Sequence, residues 1–112
     1  MSNDLGRAFE DKACEYLKKA GYRIKGRNIS YRFGELDIVA MEGDVLVFVE
    51  VKGGNGDQLP RYRVDERKLR RLEMAVQKYI MSFKPEFSEM RLDVIEVLRS
   101  GEITHLKGVG RW

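Results

Sequence analysis

Cysteine occurs once in this 112-residue chain, as do histidine and tryptophan, and proline occurs twice. A lone Cys14 closes no internal disulfide and has no partner for redox or zinc chemistry, so it is expected to pack as a small hydrophobe. A single imidazole, His105, has no second His or Cys near it and is read as a surface or edge residue without a role. No apolar stretch approaches the roughly 18 residues that a membrane span requires. Met1-Ser2-Asn3-Asp4 opens no apolar run of the signal-peptide kind. A cytoplasmic, soluble protein with no membrane contact and no small-molecule cofactor is expected. Asparagine and glutamine are scarce while charged residues reach 35%, a balance often seen in thermophile proteins.

What is present suits one compact core. The length supports a single domain over residues 1–112 and is too short for two. The apolar fraction of 43% is ordinary for a globular protein, and a net charge of +3 permits an acidic partner without demanding one.

Asn3 or Asp4 can cap a helix with an apolar stripe of Leu5, Phe9, Ala13, Tyr16, Leu17 and Ala20, and Gly21 stands where that helix should stop. Residues 22–31 read as a strand, Arg32-Phe33-Gly34 as a turn, and 35–42 as a second strand. After Gly43-Asp44, the β-branched run of residues 45–52 reads as a third strand. Residues 53–63, with Gly53, Gly54, Gly56 and Pro60, have no period and are expected to form an exposed loop. A second helix is expected from Asp65, with Leu69, Leu72, Val76, Tyr79, Ile80 and Phe83 on one face, until Pro85 ends it. Residues 92–98 and 102–106 read as strands around a Ser100-Gly101 turn. The order αβββαββ predicts an α/β fold, a mixed sheet flanked by helices.

A two-residue Gly43-Asp44 turn fixes the register of the hairpin around it. Ile38 then faces Val49 and Ala40 faces Val47, with Leu36 and Val51 on the same side. Val39 opposite Phe48 and Met41 opposite Leu46 make the other face apolar as well. On that second face the register puts Asp37 opposite Glu50 and Glu35 opposite Lys52. Opposed carboxylates repel, and one of them should hold its proton unless a cation sits between them. Two readings of this group stand. One is a seat for a divalent ion, with Asp37 and Glu50 as ligands and Lys52 able to hold the attacking water or neutralise a pentavalent phosphate. The other is a charge cluster at the open end of a hairpin. Glu10, on the flank of the first helix's stripe, is a candidate outer ligand.

Between Arg61 and Arg71 lie six basic residues relieved only by Asp65 and Glu66. Arg61, Arg63, Lys68 and Arg71 are candidates for phosphate contact beside the acids, against the alternative of a solvated helix face. Trp112, with Val109 and Arg111, either closes a dimer contact or covers the core.

Gly6-x3-Glu10, Asn28, Gly34-Glu35-Leu36-Asp37, Phe48-Val49-Glu50-Val51-Lys52, Lys68 with Arg71-Leu72, and Arg91-Leu92-Asp93 together resemble the YraN-like family of bacterial proteins over nearly the whole chain. The resemblance implies a restriction-endonuclease-like fold of the PD-(D/E)xK nuclease superfamily, similar in plan to archaeal Holliday junction resolvases. It implies that Asp37 fills the central acidic position, Glu50 and Lys52 the Glu-x-Lys pair, and Glu10 the acid of the first helix. Asp93, matched to the family's Arg-x-Asp, is implied as a strand anchor. The family pattern is expected to carry an arginine two places after the lysine, where this chain has Gly54, a departure that bears on substrate grip more than on metal binding. The expectation is therefore a Mg²⁺-dependent endonuclease, with Mn²⁺ able to substitute, acting on branched or otherwise structured DNA as a homodimer. The alternative is a non-catalytic nucleic-acid-binding or adaptor domain that keeps the same fold.

Overall fold

A computed structural model of the chain describes residues 4–54 and 66–109, with side chains from residue 6 onward. Residues 55–63 of the expected loop, Arg61 and Arg63 among them, the Asn3 cap, the Asp65 helix start, Arg111 and Trp112 lie outside the described residues.

The elements follow in the expected order: α1 (Asp4–Lys19), β1 (Arg23–Tyr31), β2 (Gly34–Glu42), β3 (Val45–Gly54), α2 (Glu66–Phe83), β4 (Glu89–Leu98) and β5 (Ile103–Leu106). Two boundaries differ from expectation by more than one residue. β3 runs through Gly53 and Gly54, which the glycine-rich composition assigned to a loop, and β4 starts at Glu89 instead of Leu92. The cause is common to both. β3 and β4 pair in parallel from Val45–Glu89 to Gly54–Leu98, so each supplies the other's hydrogen bonds at ends that side-chain pattern alone leaves unmarked.

Local chemistry explains the turns. α1 closes with Gly21 at φ 94°, its N–H donating to the Lys18 carbonyl at 3.1 Å and that of Tyr22 to the Leu17 carbonyl at 2.9 Å. These two bonds are the glycine-closed Schellman pattern, which satisfies carbonyls that a helix end leaves open. Gly43 at φ 60° supplies the positive φ of the two-residue hairpin, while Asp44 keeps a negative one, the pattern of a type II′ turn.

The sheet order is β1-β2-β3-β4-β5, antiparallel except for the central β3–β4 pair that α2 connects. α1 covers one face, where Ala13, Cys14 and Leu17 pack with Tyr22, Ile38, Ala40, Val47, Val49, Ile95 and Val97. α2 covers the other, where Leu72, Ala75, Val76 and Tyr79 pack with Val39, Met41, Leu46, Phe48 and Leu92. A strand buried on both faces needs an unbroken apolar run, which is why residues 45–49 are all apolar. Among the described residues no helix is long and apolar enough to cross a membrane.

Three expectations are corrected. Leu36, expected with Ile38 and Ala40, packs in the α2-side core. The β2–β3 ladder ends at Ile38–Val49, so nothing on the β3 side holds Leu36 to the regular pleat. Phe83 is 61% exposed, because α2 ends there and its ring lies against Tyr79 at the helix terminus and not beneath the helix. His105, expected as a surface or edge residue without a role, does stand on the edge strand β5, but its side chain is only 6% exposed and bridges two elements. Its Nε2 lies 2.7 Å from Asp93 Oδ2, and Tyr16 Oη lies 2.9 Å from its Nδ1. Asp93, fully buried, also accepts two bonds from Arg91 and one from the Gly108 N–H. Burial alone pushes the Asp93 carboxyl up, but these donors outweigh it and hold the group below its ordinary value. It anchors the chain's C-terminal strand to β4 and, through His105, to α1.

Candidate active site

The hairpin of β2 and β3 opens at the end away from its turn. Its last backbone pair is Ile38–Val49, and beyond it the expected Asp37–Glu50 and Glu35–Lys52 ladder pairs do not form. In their place Asp37 Oδ2 accepts a hydrogen bond from the Val51 N–H at 2.9 Å. A side-chain carboxylate thus takes up a backbone donor on the β2-facing edge of β3, and the strands part around it.

Asp37 and Glu50 nevertheless meet. Both line a cleft of about 340 Å³ with Phe33, Gly34, Glu35, Lys68, Arg71 and Leu72. Glu50, on the α2-facing side of β3, is only 8% exposed. Gly34 lets β2 approach the helix, since a Cβ there would lie 3.3 Å from the Arg71 carbonyl oxygen. The expected basic residues of α2 are therefore brought to the acids, with Lys68 and Arg71 on the cleft wall.

The electrostatics follow from burial. Desolvation, then the nearby charge of Glu50, push the Asp37 carboxyl up to about 7, against the opposing hydrogen bond from Val51; Glu10 and Glu35 add smaller repulsions. Glu50 is met by a cation instead: Lys68 Nζ lies 2.5 Å from its Oε2. The sequence assigned Lys68 to phosphate, and here it neutralises a site acid.

Lys52 stands one pleat beyond Glu50 on the same face of β3, in register with Glu96 of β4. Glu96 carried no signal beyond being one charge among several in β4, yet its Oε1 is buried with no hydrogen-bond partner among the described residues. Gly54 makes room for it, because a Cβ at 54 would lie 3.0 Å from Glu96 Oε2 and 2.8 Å from Leu98 Cδ2. An arginine there would have to displace both.

Glu10 is placed differently from the inner acids. It lines a neighbouring cleft with Gly6, Arg7, Asn28, Ser30 and Glu35, and its charge reaches Asp37. Phe9, the residue before it, sits on Gly53, where a Cβ would fall within the space of the phenyl ring. The bare Gly53 thereby sets how closely this turn of α1 approaches β3.

Among the described residues no three His, Cys, Asp or Glu side chains form a ready-made metal group. Asp37 and Glu50 are two carboxylates, a number with which Mg²⁺ sites are commonly built while water and phosphate fill the other positions. The residues fit such an ion in two respects: Glu50 already draws a cation into the cleft, and desolvation and the charge of Glu50 push the Asp37 carboxyl beside it up to about 7.

Comparison with known proteins gives a consistent relationship. Residues 9–97 match the model of "Uncharacterised protein family UPF0102". A UPF0102 protein of Kosmotoga olearia is 65% identical over 112 residues, covering all of this chain and 97% of that protein. One from Pseudothermotoga lettingae is 48% identical, covering 89% of this chain and 92% of its own, and one from Persephonella marina is 38% identical, covering 91% and 89%. With most of its length matched and relatives aligned nearly end to end, the chain belongs to the UPF0102 (YraN-like) family.

Proposed function

We propose that this chain is a metal-dependent nuclease of PD-(D/E)xK type that hydrolyses phosphodiester bonds. The observation that carries this reading is the cleft in which buried Glu50 and proton-retaining Asp37 share one wall while Lys68 and Arg71 supply the cationic side. Two carboxylates crowded into one desolvated cleft repel each other unless a cation serves them, and cations on the cleft wall suit a phosphate that such an ion would bring.

Asp37 and Glu50 would hold a Mg²⁺ ion, or Mn²⁺ in its place, which when bound supplies a water of lowered pKa and charge neutralisation at the phosphate. The chain's own groups do the rest. The Val51 N–H keeps Asp37 turned into the cleft. Arg71 offers paired N–H donors to non-bridging phosphate oxygens. Lys52 orients the attacking water or offsets the negative charge that grows on phosphorus. Arg61 and Arg63 extend the phosphate contacts along the strand, and Glu10 supports the seat from α1.

Branched or structured DNA is the proposed substrate, cut by a homodimer, since a two-fold enzyme suits a two-fold junction. Light scattering that shows only monomer at working concentrations removes the dimer.

One observation favours a second reading. The Lys68–Glu50 ion pair satisfies the buried acid internally, as a non-catalytic nucleic-acid-binding or adaptor domain would require. Labelled branched and linear DNA incubated with Mg²⁺ or Mn²⁺ separates the two. Cleavage by the wild-type chain that is lost in an identically prepared Glu50→Gln supports the nuclease. No cleavage by either, together with no metal binding by calorimetry, leaves the adaptor.

A further inference from the structure

We propose that the cleft of Arg7, Glu10, Asn28, Ser30 and Glu35 is a nucleoside subsite of the same site, and that the Asn28 side-chain amide reads the sugar or base beside the scissile phosphate. This inference rests on the nuclease reading for its place in a reaction, though not for its geometry.

The two clefts are neighbours. Glu35 lines both, standing two residues before Asp37 on β2, so the α2-side cleft of Asp37 and Glu50 and the α1-side cleft adjoin at this residue, where the open end of the hairpin lets a strand pass from one to the other. That cleft holds about 380 Å³, within the range of small-ligand pockets. Its chemistry differs from that of its neighbour. One guanidinium faces two carboxylates, an amide and a hydroxyl, so the lining disfavours a second phosphate and suits an uncharged ligand rich in donors and acceptors. A nucleoside is such a ligand. Carboxylates accept from exocyclic amino and sugar hydroxyl groups, and an amide both donates and accepts.

Asn28 supplies the independent observation. It lies inside β1 at φ 52°, in the left-handed region that among non-glycine residues asparagine tolerates best. The distortion absorbs no extra residue, because Arg27–Ile38 on one side and Ile29–Leu36 on the other keep the same register. Its effect is to re-aim residue 28, at the level of Asp37 on the next strand. Asparagine is the side-chain-bearing residue that best tolerates this φ, so the position keeps its left-handed backbone and adds an amide at the cleft.

Asn28→Gly tests this directly, since it keeps the backbone conformation and deletes the amide. Rates are measured on labelled branched DNA varied in the bases beside the cut, together with the Mg²⁺ concentration for half-maximal rate. The expected result is a loss of about tenfold or more in kcat/KM, with blurred cut positions, an unmoved Mg²⁺ midpoint and no fall in Tm. Wild-type kcat/KM and cut positions in Asn28→Gly would overturn the subsite.

A second measurement separates it from the nuclease reading. The Asn28 side-chain amide signal is followed by NMR in Glu50→Gln as a short deoxyoligonucleotide is added. A shifted signal with a wild-type chain that cuts nothing sinks the nuclease and keeps the subsite. A signal that stays put sinks the subsite whether or not the chain cuts.

Discussion

Asp37 Oδ2 accepts the N–H of Val51 at 2.9 Å, so a carboxylate from one strand grips the backbone of the next strand immediately beyond Glu50. The bond holds two acids in one cleft even though the backbone ladder has already ended. The crowding shows in the proton that Asp37 retains to about pH 7, raised by desolvation first and the charge of Glu50 second, against the lowering effect of the Val51 bond.

That proton sets a pH dependence. The unfolded carboxyl titrates at about 3.9, and burial beside Glu50 pushes the folded one up to about 7. Between these values the folded chain binds a proton that the unfolded chain has released, so this group's contribution to stability falls as pH rises. Asp93 and Glu42, whose carboxyls are lowered, act below this window, where their stabilisation is lost as pH falls through the folded values. The metal-free wild-type chain should therefore lose Tm between about pH 5 and 8, and Asp37→Asn should flatten that slope and be the more stable at pH 8. Thermal melts in chelator check this, and identical slopes for the two chains would contradict it.

Lys68→Gln removes the cation from Glu50 and leaves a buried acid uncompensated. Without metal the chain should lose about 1–3 kcal/mol. Mg²⁺ should restore more stability to this variant than to wild type, and calorimetry should find it binding the ion more tightly. Equal Mg²⁺ affinity in both would mean that Lys68 does not share the seat.

Gly53→Ala places a methyl group inside the Phe9 ring position and forces α1 away from β3. Overpacking of this kind costs about 1–3 kcal/mol. Cleavage should fall as well, because the turn that displaces Phe9 also carries Glu10. A variant with unchanged Tm would show that Phe9 can turn aside freely.

Asp93→Ala strips Arg91 and His105 of their buried partner on the α1 face, at an expected cost of about 3–5 kcal/mol. Metal affinity at the cleft should be unchanged in the fraction that folds. A chain that keeps its stability, or one that loses metal while still folded, would assign this group another task.

Most of the architecture was legible because a few local devices specify it. The Gly43-Asp44 turn fixes the register from Ile38–Val49 to Glu42–Val45 as predicted, and Gly21 stops α1 where a glycine should. The arithmetic fails past Ile38 because it assumes a backbone partner, and there a side chain takes that place. The convergence of Asp37 and Glu50 was foreseen on the wrong geometric ground: they share a cleft without sharing a ladder rung. Pattern could not show that Lys68 would turn to Glu50, since a lysine in a basic run reads the same whether it faces solvent or an acid. Nor could it show the left-handed Asn28 or the unpartnered Glu96 oxygen, because strand alternation carries no mark of φ or of a carboxylate's company. His105 was misread for a related reason: its partners Asp93 and Tyr16 are 12 and 89 residues away in sequence.

The Lys68–Glu50 pair has a consequence for how this protein is assayed. An ammonium fixed on α2 beside the acids is a competitor tethered to its target, present at the same effective concentration however far the sample is diluted. Any cation titrated into the cleft reports its own affinity less the free energy of evicting Lys68. A weak apparent Mg²⁺ constant would thus measure the incumbent as much as the newcomer, and a phosphate able to receive the released lysine would make ion and substrate bind more tightly together than either does alone.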